Sequence, residues 1–315
     1  MKPRGCGSVL PEYLNTLSEQ DPNEAEGLLE SRRLLPAMLL LFIGSGCAAL
    51  IYEIVWLQLL QLVIGLTTIS LGVLLGAYMG GMCLGSYMLP RLVSGRRHPL
   101  RIYAMLELGI GVLGLAILFG MPWVSQIYTA VGGSGFGGIV VRCVVAGVCL
   151  VPPTLLMGAT LPAVSRWVET TPQGISWLGF FYGGNIAGAV FGCLLAGFYL
   201  LRVHDMAFGT YIAAGINLGV ALLALLLAAL TPFKPAADAA MNRGPASAAA
   251  EAVAEKQSRP AGPAGCGRNA VYLAIGLSGL TALGAEVVWT RLLALMFGGT
   301  VYTFSDHRLA AELAD

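Results

Sequence analysis

Residues 34–62 read LLPAMLLLFIGSGCAALIYEIVWLQLLQL, and Glu53 is the one charged side chain in the stretch. A helix crosses the hydrocarbon core with about 20 mostly apolar residues, so this run is long enough to span. Six further windows meet the same length: 67–89, 102–124, 139–164, 175–201, 207–230 and 271–297. The composition agrees, since only 11% of the 315 residues are charged and the mean hydropathy is +0.76. An ordinary soluble domain carries about 25% charge, so this chain has more apolar surface than one water-facing core can hide. The expected fold class is all-α, a polytopic membrane helix bundle with the lipid bilayer as its first partner.

The loops give the orientation. Of the 18 Lys and Arg residues, 14 fall on one side if the N-terminus is placed inside. They are Lys2, Arg4, Arg32 and Arg33, then Arg91, Arg96, Arg97 and Arg101, then Arg166, then Lys234, Arg243, Lys256, Arg259 and Arg268. Only Arg202 lies clearly in a loop on the other side. Cytoplasmic loops collect basic residues, so the N-terminus and the loop after the sixth span are expected in the cytoplasm of a cell, or inner, membrane. The first 33 residues carry six acids and are unlike a cleaved signal peptide. A net charge of +1 without a basic cluster excludes nucleic-acid binding.

The domains follow from composition: a polar cytoplasmic tail over 1–33, a six-span bundle over 34–230, and a Pro-, Ala- and Gly-rich linker over 231–269. A seventh span over 270–299 and a polar tail over 300–315 complete the chain. Six spans, a long linker and a new span form the layout of the major facilitator superfamily, whose halves are repeats. A repeat is present at an offset of 233. SGCAALIYEIVWLQLLQLVIGLT (45–67) and SGLTALGAEVVWTRLLALMFGGT (278–300) share 12 of 23 positions, Glu53 with Glu286 and Trp56 with Trp289 among them. The seventh span is thus read as the first helix of a second half. After Thr300 the residues VYTFSDHRLAAELAD hold too many charges for an eighth span. The expectation is a chain cut short within its second half, with a natural seven-span protein as the alternative.

These residues resemble a known bacterial family, the fused major-facilitator and spermidine-synthase membrane proteins. The match lies in Ser45-Gly46 to Leu50, Tyr52-Glu53, Val55-Trp56 and Gly65-x-Thr67. It continues in RIYAMLELGIG (101–111), PPTLLMGATLPAVSR (152–166) and FYGGNIAGAVFG (181–192), and returns in Glu286, Trp289-x-Arg291 and Gly298. The resemblance implies a major-facilitator-like six-helix half plus the first helix of another. It also implies a soluble, Rossmann-like aminopropyltransferase domain that would take decarboxylated S-adenosylmethionine and a polyamine. Nothing in these 315 residues matches that domain, so no cofactor and no catalytic residue are expected here. Gln58 stands where the second copy has Arg291, and Pro90 stands where the family's loop has an acid before Arg91.

Ionisable groups within spans are the sharpest functional signal, because each is costly in a bilayer. Glu53, Glu286 and Glu107 are therefore the candidates for a substrate or proton site. The repeat gives Glu53 and Glu286 equivalent positions, where two carboxylates facing one cavity can hold a polyamine or another cation, or share a proton. The alternative is structural, each acid bonding a neighbouring helix or pairing with a base such as Arg142 or Arg291. Tyr52, Trp56, Trp289, Arg291 and Asn185 are the cavity or interface candidates. Glu53 lies about 28 Å along a helix from Leu34, which puts Trp56, one turn on, in an aromatic belt at the outer leaflet, as Trp289 is beside Glu286. Glu107 is read as interfacial, near the cytoplasmic start of span three. Asn185 and Asn217 are read as interhelical hydrogen bonds.

The glycines at four-residue spacing, 72–76–80, 81–85 and 184–188–192, are expected to let helices approach closely. Gly109, Gly111 and Gly114 spell GxGxxG inside a span, with no strand before them, so the dinucleotide reading fails. Pro152, Pro153 and Pro162 are expected to break or kink span four. The seven cysteines have no zinc-like spacing, and no metal site is expected. The functional expectation is a transporter-like membrane module that handles polyamines or other small cations. The alternative is a membrane anchor or scaffold for an aminopropyltransferase-like domain, with a homo-oligomer as a further partner.

Overall fold

A computed structural model describes residues 22–65, 67–92, 97–131, 136–168, 174–231 and 266–296. Among them every element is helical: α1 (Pro22–Ile64), α2 (Thr68–Leu92), α3 (Pro99–Val131), α4 (Phe136–Val168), α5 (Gly174–Leu195), α6 (Met206–Leu230) and α7 (Cys266–Met296). Each contains a stretch long and apolar enough to cross a membrane, and each falls on one of the seven apolar windows. Because a bilayer offers no partner to an open N–H or C=O, a helix that closes its own hydrogen bonds is the conformation these runs take.

The ends are set by local chemistry. Gly65 closes α1 with a positive φ of +89° and donates its N–H to Gln61 at 2.9 Å, a geometry that a side chain would strain. Thr67 opens α2 by accepting from Ser70 N–H at 3.1 Å. Asp205 opens α6 by accepting from Phe208 N–H at 2.8 Å. Helix α5 runs on through a π-helical stretch, Ala196–Leu200, and a last turn, Leu201–Val203. Residues 22–33 of the expected polar tail already belong to α1, while residues 1–21, 232–265 and 297–315 lie outside the described residues. Of the expected break or kink at Pro152, Pro153 and Pro162, a break is not found, since α4 is one helix from Phe136 to Val168 with all three prolines inside it.

Helix α1 pairs closely with α5 and α6, α2 with α4, and α3 with α4 and α6. Exchanging α1 with α4, α2 with α5 and α3 with α6 leaves this set of pairings unchanged. The tightest pairs are built on glycine. On the α1–α5 seam, a Cβ at Gly188 would strike the backbone of Ile43, one at Gly192 that of Cys47, and one at Gly46 that of Asn185. On the α2–α4 seam, Gly85 abuts the backbone of Leu155, and Gly158 that of Met82. Gly72, Gly76 and Gly80 differ from the expectation: nothing lies within 4 Å of a Cβ built on any of them. Only the 81–85 pair of α2 faces α4, because the 72–76–80 stripe lies on another side of the same helix.

Two apolar clusters fill the six-helix bundle. One gathers Phe42 and Leu41 of α1, Leu100 and Tyr103 of α3, Phe181 of α5 and Ala224 of α6. The other gathers Tyr52 and Trp56 of α1, Tyr78 of α2, Ile110 of α3, Leu150 of α4 and Ala213 of α6. Helix α7 stands apart. It touches α2, and none of its residues for which exposure is described is buried.

Candidate functional site

Glu53 is nearly enclosed, at 9% exposure. It is within electrostatic reach of Tyr78 of α2, whose hydroxyl donates to the Ala49 carbonyl at 3.3 Å and approaches Met157 Sδ at 3.6 Å. Helix α7 contacts α2, and Glu286 lies within electrostatic reach of Glu53. The two acids differ in exposure, Glu53 being buried and Glu286 exposed. No base among the described residues answers Glu53. Arg142, one expected partner, instead directs its Nε toward the Tyr128 hydroxyl at 3.3 Å. The side chain of Arg291, the other, lies outside the described residues.

Glu107, read from the sequence as interfacial, is enclosed by the bundle. It is 1% exposed, and Ser45 Oγ donates to its Oε1 at 2.6 Å. The Tyr103 hydroxyl interacts with the same carboxyl and also reaches the Leu41 carbonyl at 3.4 Å. Helix α3 begins at Pro99, eight residues earlier, so Glu107 lies about 12 Å inside it. Asn217 of α6 is equally buried. Ser45, Glu107 and Asn217 each fall between the residues that their helix gives to one apolar cluster and those it gives to the other. They form a polar layer across α1, α3 and α6. Polar residues at corresponding depths of three spans were the available signal for it, but sequence alone does not give helix rotation.

The two tryptophans of the repeat part company. Trp56 is fully buried and stacks on Tyr52, ring centroids 4.6 Å apart, so the aromatic-belt expectation fails for it. Trp289 is 69% exposed, as a lipid-facing anchor would be. Tyr52 is buried with its ring against Gly114 of α3 rather than open to a cavity. Asn185 Nδ2 donates to the Phe42 carbonyl at 3.2 Å, an interhelical bond between α5 and α1, as expected. His98 ties the start of α3 to the end of α6 through the Thr231 carbonyl at 2.9 Å. No group of three or more metal-ligating side chains occurs among the described residues.

Among the described residues, seven helices long and apolar enough to cross a membrane, six of them packed into one bundle around the buried acids Glu53 and Glu107, mark a multi-pass membrane protein. No protein-family model, curated protein or solved structure matches the chain.

Proposed function

We propose that the chain is a transporter-like membrane module, similar to that of the fused major-facilitator and spermidine-synthase proteins, which handles a polyamine or another small cation. In this reading it sits in the inner membrane with its N-terminus and the 231–269 linker in the cytoplasm. The observation that carries the proposal is the approach of Glu53 and Glu286, two acids in equivalent positions of a repeated helix, without a described base to neutralise Glu53. An uncompensated acid pair at membrane depth attracts cations, and a polyamine brings more than one positive centre to it. The pairing of helices supports the same reading. A three-plus-three exchange is how each half of a facilitator is built, with inverted repeats and a substrate site near the midplane.

The test is uptake of labelled spermidine by vesicles containing the purified 315-residue chain, with and without a pH gradient. Time-dependent uptake that Glu53→Gln and Glu286→Gln each reduce is the expected outcome. Absence of uptake by the unaltered chain under both conditions counts against it.

A second reading has the membrane part anchor an aminopropyltransferase-like domain, with the acids serving helix packing alone. The exposed flank of α7 favours it, because that surface is free to pack against further protein. Under this reading Glu53→Gln combined with Glu286→Gln leaves the activity and localisation of the full protein unchanged.

A further inference from the structure

The end of the bundle where α2 stops and α3 starts carries positive charge that no nearby acid answers. Residues 54–106 hold Arg91, Arg96, Arg97 and Arg101 and not one Asp or Glu. Arg91, Arg97 and Arg101 are exposed, and none of them pairs with a carboxylate among the described residues. The segment that bears Arg97 and Arg101 is pinned in place by His98 between them. Its Nε2 bonds the Thr231 carbonyl at the end of α6 at 2.9 Å, and its Nδ1 accepts from Leu100 N–H at 3.3 Å.

Arg91 is ordered by its own helix. The guanidinium carbon lies 3.5 Å from the centre of the Tyr87 ring, and Nη1 donates to the Tyr87 carbonyl at 2.8 Å. The ring attracts the cation through its face, and a cation in the last turn of α2 also suits the negative end of the helix dipole. A guanidinium has five N–H donors, so most remain for a further acceptor. Below Arg91 on the same side of α2, at helical spacing, come Met88, Tyr87 and Leu84, which are 36%, 60% and 49% exposed. An oriented cation thus heads an uncovered apolar helix face.

We infer that Arg91, seated on Tyr87, is the docking point for an anionic phospholipid, its phosphate on the guanidinium and an acyl chain along Met88, Tyr87 and Leu84. A planar guanidinium fork matches the paired oxygens of a phosphate, and basic residues at the membrane surface favour anionic lipid. Charge complementarity selects the headgroup. A zwitterionic lipid brings its own cation to an end of the bundle that already holds Arg91, Arg97 and Arg101 uncompensated, whereas a net-negative lipid brings none. The site stands apart from the cation reading of Glu53 and Glu286.

Native mass spectrometry of the purified full chain, titrated in detergent with phosphatidylglycerol or with phosphatidylcholine, tests it. Phosphatidylglycerol is expected to bind the more tightly of the two. Arg91→Gln should weaken it about five-fold, the effect of one arginine at an anionic surface, and should leave phosphatidylcholine unchanged. Tyr87→Leu should weaken phosphatidylglycerol as well, whereas Tyr87→Phe, which keeps the ring under the guanidinium, should not. Arg202→Gln removes the same charge from an exposed position at the other end of the bundle and should leave the affinity as it was. Equal affinity of the unaltered chain for the two lipids overturns the site. A loss in Arg202→Gln as large as in Arg91→Gln also overturns it, and so does displacement of phosphatidylglycerol by inorganic phosphate.

Discussion

The Ser45–Glu107 hydrogen bond is the shortest polar link between α1 and α3 in the buried layer, at 2.6 Å. Neither group reaches water, so removing the donor leaves the acid with one partner fewer in an apolar setting. Ser45→Ala should therefore cost about 1.5–3 kcal/mol, the range for hydrogen bonds to charged groups, or about 1 if the carboxyl is neutral. Thermal unfolding in detergent measures the loss. Combining Ser45→Ala with Glu107→Gln separates the pair energy from the two single effects, and a strictly additive double variant would show that the bond stabilises nothing. The identity of Glu107 as a costly intramembrane acid is legible in the sequence. Its enclosure is not, because position along an apolar window does not give the rotation that turns the carboxyl toward α1. Pro99 starts the helix, and Tyr103 and Ser45 close over the carboxyl.

At the scale of elements, glycine spacing alone does not say which helix faces which. Gly188 lies against the α1 backbone at Ile43, whereas Gly76 faces open space, although both belong to four-residue glycine patterns. Gly188→Val is expected to separate α5 from α1, with loss of the Asn185–Phe42 bond and several kcal/mol of packing. Gly76→Val should leave the melting temperature and the elution profile of the six-helix bundle close to those of the unaltered chain. Equal destabilisation by both substitutions would contradict the α1–α5 seam. The physical reason is that lipid is as apolar as leucine, so a span is apolar on its outer and inner faces alike and hydropathy carries little information about rotation. The same ambiguity explains Trp56. Counting residues along α1 gives its depth, but the direction of its ring, inward onto Tyr52, is set by neighbours distant in sequence.

For the whole molecule, the spans and the internal repeat are legible in composition and pattern, and all seven apolar windows form helices. What the pattern leaves open is how the repeat is used. The two copies, identical at 12 of 23 positions, occupy different environments: α1 is enclosed by its neighbours, while α7 touches α2 and is otherwise exposed. One consequence is that the two equivalent acids differ, Glu53 being buried in the bundle and Glu286 exposed on α7 within electrostatic reach of it. If these two acids together form a cation site, equilibrium binding of labelled spermidine to the purified full chain reads it without relying on transport. Saturable binding, weakened about tenfold or more by Glu53→Gln and again by Glu286→Gln, is the predicted result, since each step of about 1.4 kcal/mol is one decade of affinity. Asn185→Ala, which alters an interhelical bond remote in role from the acids, should leave the affinity unchanged. Binding that is absent from the unaltered chain, or that persists undiminished in both glutamine variants, would contradict a cation site at Glu53 and Glu286.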